Sequence, residues 1–357
     1  MEVKITQAAP EKLKQKPTDE SKLGFGGIFT DHFFIAEYSK GKGWHTASIE
    51  PYRPLTLDPA AMCLHYGQLI FEGMKTYRGK DDSIYLFRPD MNIARMNASA
   101  ERLVMPPIDT GLFREGLKKL VLLEKDWIPH SSGTSLYIRP TMIATEKALG
   151  VHPSAEYYFY IILCPVGAYY AQGFSPTKIF VSEEYVRSVR GSIGACKAAG
   201  NYAASLYAAE QAKEMGYTQV LWLDAIEMKY VEEVGTSNIF FMIDDELVTP
   251  PLTGSILPGV TRDSVIQLAR HWGINVSERP LSMDEILAAH AKGTIRDCFA
   301  SGTAAIVSPV GQIYYKGKEF VINKGEIGKL TQRLYNEILQ IQYGEKDDPF
   351  GWRVKIN

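Results

Sequence analysis

The chain has 357 residues, 45% of them hydrophobic and 22% charged, a globular composition with length for about two domains. Its formal net charge of -2 leaves no electrostatic surplus for nucleic acid or an acidic membrane, and no apolar run is long enough to span a bilayer. The cysteines Cys63, Cys164, Cys196 and Cys298 form no CxxC and pair with no histidine at a zinc-like spacing, so no metal is expected.

In chain order, residues 1–22 mix lysines with acids, as in "EKLKQK", and read as a solvated, mobile tail without the apolar core of a signal peptide. The cytoplasm is the expected location. "MKTYRGKDDSIYLFRP" predicts two strands around a Gly-Lys-Asp-Asp turn. "PDMNIARMNASAERLVMP" opens with Pro, closes on a Pro pair and predicts a helix. "TSLYIRPTMIATE" and "EYYFYIILCPVG" predict strands, the second apolar enough to be buried. "GAYYAQGFSPTK" breaks the pattern and places an interdomain linker at 167–178, between a small domain at 1–166 and a larger one at 179–357. "KIFVSEEYVRSV" resumes as strand, and "NYAASLYAAEQAKEMG" predicts a helix that Asn201 can cap at its start and Gly216 at its end. "YTQVLWLDA" and "MKYVEEVGTSNIFFMIDDELVTPP" predict further strands, with Asp244-Asp245 at a tight hairpin. The expected fold is α/β in two domains with a cleft between them.

Chemistry concentrates at a few positions. "IGACKAAGNYAASLYAAEQA" sets Lys197 among small residues, with no acid between Arg190 and Glu210. A lysine attacks a carbonyl only as the neutral amine, so its ordinary pKa of about 10.4 has to fall; removing acids and burying the stem does this. Small neighbours would let a flat ring lie close to the backbone. Tyr202, at the helix start, can donate to a phenolate. In "EVGTSNIFF", Glu233 ends a strand where a carboxylate could hold a pyridine nitrogen protonated. Gly259 in "SILPGVTRDSVIQLARHWG" precedes a helix whose first N–H groups, at Val260 and Thr261, form an anion site. "FASGTAAIVSPV" offers Ser301 and Thr303 at a turn that can hold a phosphate or carboxylate. Each of these also reads as ordinary turn, cap or surface chemistry.

Together, in this order, the pieces resemble the class IV (fold type IV) pyridoxal-phosphate aminotransferases. "EVGTSNIFF…ELVTPPLTGSILPGVTR" is similar to the class signature. "HYGQLIFEGMKTYRG", "LFRPDMNIARM", "GTSLYIRP", "ILCPVGAYY", "GNYAASL" and "ASGTAA" are similar to the branched-chain amino acid aminotransferases in particular, from about Gly24 to the C-terminus.

The resemblance implies pyridoxal 5'-phosphate bound covalently to Lys197, which would also shuttle the substrate proton. It implies Glu233 at the pyridine nitrogen, Tyr202 at the ring hydroxyl, and Arg95, Val260, Thr261 and Thr303 at the phosphate. Arg187 matches another cofactor-side arginine. Phe25, Tyr66, Phe71, Tyr137, Tyr169 and Thr236 match the substrate pocket. Tyr66, Thr303 and Ala304 match the α-carboxylate site, and Arg139 the site for glutamate's γ-carboxylate. Leu149 and Val151, in "ALGVHP", match a segment that reaches the neighbouring subunit, which implies a homodimer or higher homo-oligomer. The implied reaction is reversible transamination of L-leucine, L-isoleucine and L-valine with 2-oxoglutarate. A D-amino acid or amine transaminase, an aminodeoxychorismate lyase and a catalytically idle binding protein are the competing readings. Ala305 and Ser308 stand where some members carry a CxxC, so a thiol switch is excluded there.

Overall fold

The computed structural model of the chain describes residues 1–167 and 173–357. The chain divides into two compact units, the first formed by Met1–Ala171, Cys196–Ala199 and Gln340–Asn357, the second by Gln172–Ala195 and Gly200–Leu339.

The first unit opens with strands β1 (Lys4–Ile5), β2 (His32–Ser39), whose first five residues are all buried, and β3 (Gly43–Pro51), then α1 (Met62–Tyr66) and β4 (Leu69–Phe71). The hairpin β5 (Met74–Arg78) and β6 (Ile84–Phe87) follows, then α2 (Pro89–Arg102), α3 (Thr110–Leu123), β7 (Ser135–Ala144) and β8 (Glu156–Val166). The sheet order is β1-β3-β2-β8-β7-β5-β6, closed at the far edge by the C-terminal strand Arg353–Lys355, with β4 also paired to β7. The longest ladder, β7 on β8, runs antiparallel from Ser135↔Val166 to Ala144↔Tyr157. Pro89 opens α2, its missing N–H costing nothing in a first turn. Asp109 caps α3 by accepting from the Leu112 N–H at 2.7 Å. Helix α3 lies close over β2: Phe113 packs on Phe159 with ring centroids 4.9 Å apart, and Phe34 on Phe159 at 5.9 Å.

Residues 1–22 are largely exposed, as expected of a solvated segment, but are tied to the sheet at several points. β1 pairs in parallel with β3, and Val3 is buried. The Ala8 N–H donates to His32 Nε2 at 2.8 Å, while His32 Nδ1 pairs with the buried Glu124 carboxylate. Lys14 donates from Nζ to the Thr30 carbonyl at 2.7 Å and lies over the Tyr52 ring. The Glu20 carboxylate accepts the backbone N–H groups of His130 and Ser131. A few long-range bonds thus anchor a segment whose other polar side chains face solvent.

The second unit contains β9 (Thr177–Val181), α4 (Ala199–Glu214), β10 (Gln219–Leu223), β11 (Val231–Val234), β12 (Asn238–Ile243) and β13 (Glu246–Thr249). It continues with α5 (Val260–His271), β14 (Asn275–Glu278), α6 (Met283–Lys292), β15 (Ile295–Gly302), β16 (Ile306–Tyr315), β17 (Lys318–Val321) and α7 (Lys329–Tyr343). Its sheet runs β11-β10-β9-β16-β15-β12-β13-β14, with β17 on β16. Parallel pairs β9/β10, β9/β16 and β13/β14 make it mixed. The expected Asp244-Asp245 hairpin joins β12 to β13, with Asp244 at φ 51°, a conformation Asp tolerates. Helix α4 begins at Ala199, two residues before the expected cap. Asn201 instead lies in the first turn, where its Nδ2 donates to the Ile193 carbonyl at 2.8 Å.

Two segments fall outside the expected boundaries. The lysine segment 196–199 belongs with the first unit because the Phe71 N–H donates to the Lys197 carbonyl at 3.0 Å and Ile70 bridges Ala198. Residues 340–357 belong there because their strand pairs with β6 and the Tyr343 hydroxyl donates to the Thr134 carbonyl.

Packing and burial each lead to a testable outcome. Gly116 sits inside α3, where Ala is normally favoured by about 1 kcal/mol. Here an added Cβ would lie 2.6 Å from the Phe34 ring, so Gly116→Ala should lower the melting temperature, and Phe34→Leu combined with it should restore part of the loss. Lys75, on β5, is 6% exposed, and burial lowers its pKa to about 8. The cost of burying the ammonium is fully present below about pH 8, and it is relieved as pH approaches the unfolded value near about 10.4, because the unfolded chain holds more protons in that window. Relative to Lys75→Met, the wild type should gain about 3 kcal/mol of stability between these limits. Urea titrations at several pH values check this, and a pH-independent difference refutes it.

Candidate active site

In the first unit the fold gathers five of the expected residues around one aromatic wall. Two-residue periodicity points Tyr137, Arg139 and Thr141 to the same face of β7, and Lys75 joins them opposite Tyr137 in the β5/β7 register. The Arg139 guanidinium lies 4.7 Å from the Phe71 ring centre and 5.2 Å from that of Tyr137, and its Nη2 donates to the Tyr137 hydroxyl at 3.1 Å. Phe25 meets Tyr137 edge-on, with centroids 5.0 Å apart. The buried thiol of Cys164 and the side chain of Val166 pack behind. Arg139 Nε is buried without a hydrogen-bond partner among the described residues. Gly73 faces this wall because a Cβ there would overlap the Tyr137 hydroxyl.

Lys197 is half-buried, with Nζ 5.1 Å from the centre of the Phe71 ring. Its main chain is held from both sides, its carbonyl by Phe71 and its N–H by the Ser99 hydroxyl at 3.0 Å. No acid neighbours it in sequence, yet the fold brings one. Glu72 follows Phe71, is wholly buried, and interacts electrostatically with Lys197. Arg95 donates to the same carboxylate from Nε at 2.7 Å and Nη2 at 2.8 Å. Sequence reasoning assigned Glu72 no role; its signal is a lone acid inside the apolar run "LIFEGM".

Tyr66 ends α1, and its hydroxyl donates to the Leu149 carbonyl. Leu149 and Val151 themselves are 68% and 83% exposed. Tyr169 lies outside the described residues.

The second unit gathers a second set. Arg187 Nη1 lies 2.5 Å from Glu233 Oε2, both side chains buried, and such a guanidinium favours the ionised carboxylate. Asn238 Nδ2 donates to Glu233 Oε1 at 3.3 Å and to the Leu257 carbonyl at 3.0 Å. A Cβ on Gly259 would overlap Asn238, so glycine lets the start of α5 close onto this strand. Gly259 caps α5 with no side-chain bond, and the buried Val260 and Thr261 form its first turn. Asn238 pairs with Ser301 across β12/β15, and the buried Ser301 hydroxyl has no partner among the described residues. Thr303 and Ala304 occupy the β15/β16 turn that follows. The turn carrying Thr236 and Ser237 is adjacent, since a Cβ on Gly302 would lie 3.0 Å from Ser237 Oγ. Thr236 is exposed, and Tyr202 is half-buried in the first turn of α4.

Taken unit by unit, the donors fit different parts of a phosphorylated pyridine aldehyde. An amine with small neighbours suits the aldehyde. A buried, arginine-paired carboxylate suits a ring N–H. A helix N-terminus without a capping side chain and an orphaned hydroxyl near the next turn suit a phosphate.

A model of the class IV aminotransferases matches residues 69–313. Branched-chain-amino-acid transaminase 1 of Bacillus subtilis (strain 168) is 55% identical over 344 residues, 96% of each chain. Branched-chain-amino-acid aminotransferase 2 of the same organism is 52% identical over 343 residues, 96% of this chain and 94% of that one. Among solved structures, the branched-chain amino acid aminotransferase of Escherichia coli superimposes with a TM-score of 0.75 at 28% identity, over 92% of this chain and 99% of that one. The chain therefore belongs to the class IV aminotransferases, in the group of the branched-chain amino acid aminotransferases.

Proposed function

We propose that the chain moves the amino group of L-leucine, L-isoleucine or L-valine reversibly to 2-oxoglutarate, with pyridoxal 5'-phosphate as cofactor, as a cytoplasmic homodimer or higher homo-oligomer. When bound, the cofactor supplies an aldehyde that takes up the amino group and a ring that withdraws electrons from the substrate Cα–H bond. Lys197 would hold the cofactor, and its Nζ would take the substrate Cα proton in one half-reaction and give a proton back to that carbon in the reverse one. Glu233, kept ionised by Arg187, holds the proton on the ring nitrogen. Tyr202 donates to the ring hydroxyl. Arg95, the N–H groups of Val260 and Thr261, and Thr303 hold the phosphate.

The observation that carries the substrate assignment is Arg139 set between the faces of Phe71 and Tyr137. Two chemically opposite substrates have to use one pocket. A branched aliphatic chain gains about 1.5–3 kcal/mol on burial against such rings, while glutamate's second carboxylate needs a cation, since unpaired burial is costly. Ring faces stabilise the guanidinium while an apolar chain is bound, and the same guanidinium pairs with a carboxylate when glutamate enters. Phe25, Tyr66, Tyr169 and Thr236 complete the pocket. Tyr66 with the backbone N–H groups of Thr303 and Ala304 receives the α-carboxylate, and Leu149 and Val151 serve the neighbouring subunit.

The purified protein given pyridoxal 5'-phosphate should turn over L-leucine with 2-oxoglutarate and leave D-alanine and aminodeoxychorismate unchanged. Lys197→Ala should abolish the visible absorption of the covalent adduct and lower transamination by more than about 10²-fold. Turnover of D-alanine or aminodeoxychorismate without L-leucine would transfer the chain to another class IV activity.

A further inference from the structure

Glu72 stands at the junction of β4 and β5 with none of its surface exposed. Four donors saturate its carboxylate: Arg95 Nε on Oε1 at 2.7 Å, and on Oε2 Arg95 Nη2 at 2.8 Å, Asn92 Nδ2 at 2.8 Å and the Gly73 N–H at 3.1 Å. Burial alone would raise its pKa, but Arg95 first, then Lys197 and Asn92, offset this and hold the carboxyl below its usual range. The group is therefore a buried negative charge shared by two cations, one the expected phosphate ligand and the other the expected catalytic amine. The Arg95 link is rigid, and the Lys197 main chain is held close to Glu72. A guanidinium gripped through Nε and Nη2 has its plane fixed, so its Nη1 end points away from the carboxylate. Lys197 is fastened to the residue before Glu72 by the Phe71 N–H, and its N–H is held by Ser99 of α2, the helix that also carries Asn92 and Arg95.

We propose that Glu72 is a positioning residue of the transamination reaction, which rests on the function proposed above: its bidentate grip on Nε and Nη2 orients Arg95 toward the phosphate. A purely structural ion pair would affect stability alone. A guanidinium whose plane is fixed for a ligand also sets that ligand's affinity, because a misdirected fork loses the charge-assisted bond.

The test titrates pyridoxal 5'-phosphate into the cofactor-free wild type, E72Q and E72D, and measures the melting temperature of each cofactor-free protein beside it. For E72Q the expected result is a rise in Kd of about tenfold or more, from the loss of a charge-assisted bidentate pair. E72D keeps the charge but cannot reach both nitrogens, so its Kd should also rise, and it serves where E72Q does not fold. A wild-type Kd in E72Q or in E72D would overturn the inference, whatever the melting temperature. A wild type that takes up no cofactor would overturn the proposed function beneath it, a result distinct from the others.

Discussion

The site of the first unit depends on how the lysine-bearing segment is tied down. "GACKAAG" has almost no side chains with which to specify its own position, so it is fixed through its backbone. Phe71 donates to the Lys197 carbonyl, Ser99 Oγ accepts the Lys197 N–H, and Ala198 bridges Ile70. These bonds recruit an otherwise featureless turn to the edge of β4. They place Lys197 Nζ beside the Phe71 ring, and the next residue along β4 is Glu72, with Arg95 beyond it. Small residues make the close approach possible, and the hydrogen bonds make it specific.

Charge burial is the second theme, and each instance is offset differently. Glu72 and Arg95 form a saturated bidentate pair. Glu233 and Arg187 pair directly, with Asn238 steadying the carboxylate. Arg139 leans on two aromatic faces and a phenol, a looser compensation than a saturated ion pair. Replacing a saturated pair by apolar groups could raise stability, so its retention favours orientation over stability as its purpose. Lys75, on the same face as Tyr137, adds a cation where the protein could have placed an apolar residue.

Local features were legible wherever a residue's own chemistry decided the outcome. The hairpin around Gly-Lys-Asp-Asp, the helix opened by Pro89, the paired strands β7 and β8, the Asp244 turn and the Gly259 helix start all lie where pattern and turn chemistry put them. Features decided by distant partners were not legible. The N-terminal segment is solvated as read, but its tethers were not legible because His32, Glu124 and Tyr52 are invisible from residues 1–22. Asn201 looked like a cap, but the carbonyl of Ile193 drew its side chain elsewhere and the helix began earlier. Glu72 carried a weak local signal, a lone acid in the apolar run "LIFEGM", but its partners Arg95 and Asn92 lie about 20 residues away on α2 and give the sequence no sign of a pair. The amine, the acid and the helix start were found individually, whereas the cation-aromatic stack around Arg139 needs the register of β5, β7 and β4 together.

The C-terminal strand imposes an order on folding. Its pairing with β6 and the Ile356 N–H bond to the Ile84 carbonyl join residues more than 260 positions apart, with the second unit's residues between them in the chain. A ribosome adding about 5–20 residues per second finishes the second unit's sequence before it delivers the edge strand of the first. The first sheet thus waits, with β6 as an open edge able to pair with a foreign strand, for tens of seconds during synthesis. Arg88 at positive φ, lying over Trp352, and the stacked Phe350–Trp352 pair then seal that edge. Residues 350–356, made after the second unit's sequence, therefore end the interval in which that edge is open to misassociation.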